Sequence, residues 1–299
     1  MDPYTTDSEL INIHTAFHQS QHQTVIDTNL SSFSSTSAPF ARLLQLRSRL
    51  ALKQYSEALS SLPSPSPSAS PQDLASRLLT TYLSSPSPKI LSDAQALADS
   101  HPDDAAVQIL IGTLLARAGE YDAALALLRK HQGSLDAVAL IVQVYLLQNR
   151  TDLAAKECKS ARGFAQDALL VNLGEAWVGM REGGEKYQQA FYVFEELAQA
   201  PSTQAPQSLV AQAVSELHLG RLPEAETALQ QALALDGENA DALANQAVLN
   251  TILGKGEEAD VVLKKLQGVD KGHPFLEEVG KRREAFEAAA GKYSPKFEP

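Results

Sequence analysis

Cysteine is nearly absent: Cys158 stands alone among 299 residues. No internal disulfide or disulfide-linked oligomer is expected, and a reducing compartment suits the chain. Its small, apolar neighbours mark a packed, inert thiol. Basic charge is also short. Against 36 Asp and Glu there are 25 Lys and Arg, a net charge of −11. That balance argues against nucleic acid, whose phosphates demand clustered cations. Lys281, Arg282 and Arg283 form the one dense basic run, read here as a solvated helix face. Long apolar runs are missing too. DAVALIVQVYLL is the greasiest segment, well short of the ~20 residues a membrane span needs. The opening MDPYTTDSELINIH has neither the basic start nor the apolar run of a signal peptide. The expectation is a cytoplasmic protein, peripheral on membranes only through a partner.

Catalytic signatures are lacking as well. GGEK at 183–186 and LGKGEE at 253–258 suggest phosphate loops, but Leu249 occupies the place of the first glycine and no strand precedes either. Both read as turns between helices, where glycine tolerates positive φ. Asp103, Asp104, Glu195 and Glu196 are paired carboxylates read as helix-terminus or solvent-face charges. His101 and His273 precede prolines as capping or turn residues. His14, His18 and His22 step by four, a spacing that can gather a metal on one helix. A polar break separates His18 from His22, and no Cys or carboxylate completes a set. No enzyme activity, cofactor or metal is expected.

What the chain does have is a repeat. Ala213 recurs as Ala247, Gly220 as Gly254, Ala225 as Ala259 and Leu229 as Leu263, each 34 positions on. A period of about 20–50 residues signals stacked structural units. Each copy holds two helices around a glycine turn, and Pro223 sits where a missing N–H costs nothing. The spacing resembles the tetratricopeptide repeat, with small residues at its eighth and twentieth positions. The usual first-helix aromatics are absent from these two copies, and Gly237 stands in place of the usual proline. The resemblance implies an all-α fold, a right-handed α-α superhelix, each hairpin stabilised by its neighbours. Degenerate hairpins are expected over 8–100 and clearer repeats over 102–269. Second-helix markers at Ala124, Ala154, Ala190, Ala225 and Ala259 recur at near-constant intervals. The solenoid is taken as one domain, 1–294, with a capping helix at 274–291 started by Pro274. A Ser/Pro-rich flexible loop is expected at 63–71 and a disordered tail at 295–299. Ser64, Ser66, Ser70, Ser85 and Ser87 precede proline, the pattern of proline-directed phosphorylation, though tolerated inter-repeat insertions explain the segments more simply.

Apolar residues exceed what one buried face requires. On a helix turning about 100° per residue, Leu243, Ala247, Val248, Ile252 and Leu249 spread beyond a single stripe. In the tetratricopeptide arrangement the first helix of each pair lines the inner wall. Ile109, Leu146, Val210, Leu217, Val248 and Ile252 are the candidate groove positions for a polypeptide partner. Burial is worth about 1.5–3 kcal/mol for each, less the costs of association. Thr113, Gln143, Val214 and Val248 stand where co-chaperone adaptors carry Lys and Asn for a C-terminal carboxylate.

AWVGMREGGEKYQQAFYVFEELA at 176–198, LHLGRLPEAETALQQALALD, KGHPFLEEV and NIHTAFHQSQHQTVID together resemble the epsilon subunit of coatomer, the COPI vesicle coat. The similarity spans nearly the whole chain; the Ser-Pro insert at 63–71 departs from it. It implies a non-catalytic coat subunit that binds the C-terminal region of the alpha subunit, in Golgi-to-ER retrograde and intra-Golgi transport, peripheral on Golgi membranes and coated vesicles. The alternative is a cytosolic tetratricopeptide adaptor or co-chaperone binding peptide segments of other partners.

Overall fold

A computed structural model describes residues 7–64, 66, 69–199 and 205–293. Every regular element among them is helical. In chain order these are α1 (Ser8–His18), α2 (His22–Asp27), α3 (Ala38–Ala51), α4 (Tyr55–Ser60), α5 (Pro71–Ser84) and α6 (Pro88–Ser100). There follow α7 (Ala105–Arg117), α8 (Tyr121–Leu128), α9 (Leu135–Leu147), α10 (Thr151–Arg162), α11 (Leu169–Glu182) and α12 (Lys186–Gln199). The last are α13 (Pro206–His218), α14 (Leu222–Leu235), α15 (Ala240–Ile252), α16 (Gly256–Val269) and α17 (Pro274–Ala290). A 3-10 turn at Leu30–Ser32 precedes α3. The chain divides into two compact units, 1–193 and 194–299.

One backbone device recurs between paired helices. After α13 the Arg221 N–H reaches back to the Glu216 carbonyl at 2.9 Å, and after α15 Lys255 reaches Asn250 at 2.8 Å. Gly220 (φ 75°) and Gly254 (φ 74°) supply the left-handed residue that this turn requires. The same bond runs from Gln21 to Ala16, Gln54 to Arg49, Glu120 to Leu115 and Arg150 to Tyr145. Ser20, Lys53 and Asn149 take positive φ there without being glycine, at a cost of about 1–2 kcal/mol each. The degenerate N-terminal hairpins are therefore built like the clear ones.

Small residues set how closely paired helices approach. Ala58, Ala94, Ala124, Ala154, Ala213 and Ala225 are fully buried, and Ala190, Ala247 and Ala259 nearly so. At Gly112 an added Cβ would sit 2.8 Å from a Leu128 methyl. First helices such as α7 and α9 are covered on most sides, which explains their nearly continuous apolar sequence.

Local starts correct the sequence reading in detail. Pro102 and Asp103 lie ahead of α7; Asp104 is its cap, accepting the Val107 N–H at 2.9 Å. Ser70 and Ser87 cap α5 and α6, each followed by proline at the first helical position. The loop expected over 63–71 thus ends in a built helix start, while residues 65, 67 and 68 lie outside the described set, as does the tail 295–299. In the second unit, Leu243, Ala244 and Leu266 form a cluster against which Phe275 and Leu276 of α17 pack. No residue of α17 is itself buried.

Gly112→Val should destabilise the chain by about 1–3 kcal/mol, because Leu128 is fully enclosed. Gly280→Ala, which meets nothing within 4 Å, should stabilise it by about 0.5–1 kcal/mol. Urea midpoints read at constant slope check both signs.

Candidate functional site

The site of most concentrated chemistry lies in the first unit, where α1, α3, α7, α9 and α11 surround a cavity of about 360 Å³. Leu10 and Ile13 anchor α1 in a core with Val25, Ala41 and Leu44. That anchoring turns His14 and His18, one helical turn apart, away from the core toward α9. Gln45 of α3 donates to the carbonyls of Val25, Ile26 and Thr28 at 2.7–3.2 Å. It thereby satisfies the end of α2 and fixes the register of α3. Two residues on, Arg47 crosses the Phe17 ring at 4.4 Å, a cation–π contact.

These groups converge on Asp136, in the first turn of α9, where Ser134 caps the helix and its dipole favours an anion. His14 Nε2 lies 2.9 Å from Asp136 Oδ2, His18 Nε2 3.5 Å from Oδ1, and Arg47 Nη1 donates to Oδ1 at 2.5 Å. The two imidazole Nε2 atoms are 3.1 Å apart. Burial alone would raise the Asp136 carboxyl. The Arg47 and His18 charges and the histidine hydrogen bonds outweigh it and hold the group well below the usual carboxylate range. Burial lowers His18, against the pull of Asp136.

This corrects the reading of the histidines. A carboxylate does complete the set, contributed by a residue 122 positions from His14. His22 is not part of it, since its ring turns to Phe17 instead. The signal available in the sequence was an aspartate inside an otherwise apolar segment and an arginine inside LLQLRSRL.

Of the predicted groove positions, Ile109 lines the cavity and is 7% exposed. Thr113 and Gln143 line it too, and so does Leu147 in place of its half-buried neighbour Leu146. Arg117, Leu170 and Trp177 complete the wall and went unpredicted. In the second unit Val210 belongs to the core with Ala213, Leu229 and Leu249, and Leu217 packs against that core. Val248 is half-buried and Ile252 is 55% exposed.

Cys158 faces a separate recess with Arg162, Asn172 and Glu175. Arg162 holds Glu175 through two hydrogen bonds of 2.6 Å. Burial, with Glu175 and Glu157 adding, pushes the thiol up to about 12, so the expected inert packing is what the structure has.

The sequence profile described as coatomer epsilon subunit matches residues 6–294. Coatomer subunit epsilon-1 of Oryza sativa subsp. japonica is 31% identical over 287 residues, covering 94% of this chain and 96% of its own length. Coatomer subunit epsilon-1 of Arabidopsis thaliana is 31% identical over 228 residues, covering 74% and 75%. Among solved structures, a tetratricopeptide repeat protein from Parabacteroides merdae superposes with a TM-score of 0.60 at 14% identity. It spans 88% of this chain and 98% of its own. The fold is therefore the α-α hairpin stack of tetratricopeptide proteins.

Asp136→Ala should cost about 3–5 kcal/mol, since it strands Arg47 without its buried counter-charge; urea denaturation of the full chain measures it. Cys158 should resist aromatic disulfide reagents at pH 8 by a factor of at least ~100 relative to the denatured chain, followed by absorbance.

Proposed function

The chain belongs to the coatomer epsilon-subunit family, and on that premise we propose that it is a non-catalytic scaffold that binds the C-terminal region of the coat's alpha subunit. Membership makes it a component of the COPI coat. No helix among the described residues is long and apolar enough to cross a membrane. The reading adds recruitment to Golgi membranes through the assembled coat, and service in Golgi-to-ER retrograde and intra-Golgi transport.

The observation that carries the binding role is exposed apolar side chains at the ends of the first helices α9 and α15. Leu147, on the wall of the first unit's cavity, is 63% exposed. Ile252 at the end of α15 is 55% exposed, beside half-buried Val248. Wet apolar surface of this kind favours a constitutive partner. Leu146, Leu217, Val248 and Ile252 stay in the proposed contact set with Leu147 added. Ile109 offers only a sliver of surface, and Val210 supports the core beneath. The alanine-rich α17 serves in this reading as the cap on the last repeat.

A second reading, an adaptor for free peptide segments, draws on one feature. Arg117 faces the cavity without an ion-pair partner among the described residues, a point where a ligand carboxylate fits. Peptides with free and amidated C-termini separate the two readings, since only the adaptor discriminates between them.

Co-expression of the full chain with the alpha subunit's C-terminal region provides the main test. Leu147→Asp and Ile252→Asp should each weaken co-purification at least tenfold, with circular dichroism unchanged. Full retention by the double variant would overturn the proposed contact set.

A further inference from the structure

We propose that His14, His18 and Asp136 form a zinc site that fastens the first helix to the ninth, with its fourth coordination position open to a small cavity beside α1. The inference is independent of the coat assignment.

The geometry starts with the ligand atoms. All three donors lie within 4.8 Å of one another. In a tetrahedral zinc site, nitrogen and oxygen ligands at about 2.0–2.2 Å stand about 3.3–3.6 Å apart. His14 Nε2 stands 2.9 Å from Asp136 Oδ2 and 3.1 Å from His18 Nε2, so a few tenths of an ångström of outward movement at His14 opens these two edges for the ion. Two histidines at i and i+4 on one helix present their rings to one side, the arrangement zinc-binding helices use. Imidazole and carboxylate donors together suit zinc among the abundant divalent ions.

A cation at the centre would accept a lone pair from each donor, with both rings in the tautomer protonated at Nδ1.

Arg47 shapes the site from outside. Its guanidinium holds Asp136 Oδ1 at 2.5 Å and leaves Oδ2, the oxygen nearer His14, for the metal. Zinc and Arg47 together exceed the charge of one aspartate, so the fourth ligand should be anionic, such as hydroxide or a partner's carboxylate. It would enter from a cavity of about 210 Å³ lined by Ile11, Thr15, Leu135 and Leu170.

The experiment uses the untagged full chain stripped with chelator and titrated with Zn²⁺ alone by calorimetry. One ion per chain should bind, and a hundredfold excess over Kd should raise Tm by about 3–8 °C. Co²⁺ should show the visible bands of a four-coordinate site. His14→Gln and His18→Gln should each weaken binding at least about a hundredfold, while His22→Gln and Cys158→Ser leave it unchanged. Both histidine variants retain a hydrogen-bonding side chain, so loss of binding with a folded far-UV spectrum is read directly. Absence of binding at micromolar zinc, or equal binding by the His14 and His18 variants, would overturn the site.

Discussion

The rest of the structure depends on how closely two antiparallel helices can approach, and that distance is set by the side chains missing between them. Alanine or glycine recurs where paired helices touch, from Ala58 to Ala259, and at Gly112 not even a methyl fits without displacing Leu128. Close approach puts the larger residues of each pair, such as Leu110, Leu114 and Leu229, at zero or near-zero exposure. A hairpin of this kind cannot bury its own first helix, so it borrows cover from the next one.

Much of this was legible in the chain. The 34-residue offset marks the two clear copies of the second unit, and the buried alanines fall where that spacing puts them. The turns of the first unit were harder to read because Ser20, Lys53 and Asn149 perform in backbone geometry what glycine performs later. Periodicity also underrated burial at Val210. Counting angles on one helix cannot tell a groove from an interface with the next repeat, and neighbouring side chains decided that position.

The polar centre was the least legible part. Nothing in the sequence pattern singles out Asp136 or Arg47, and the histidines read as an incomplete set. Only the folding of α1 against α11, with His14 reaching Asp136 of α9, makes them neighbours. Once there, they are costly to separate, because a buried carboxylate keeps its charge only while Arg47 and the imidazoles surround it.

That contact also imposes a timetable on synthesis. Each hairpin closes on itself soon after it leaves the ribosome, since its contacts are local. His14 must wait for a residue 122 positions downstream. At about 5–20 residues per second that is roughly 6–24 s of translation. Until then the two imidazoles of α1 lack the carboxylate they face in the finished fold, whereas Phe17 finds Arg47 only 30 positions on.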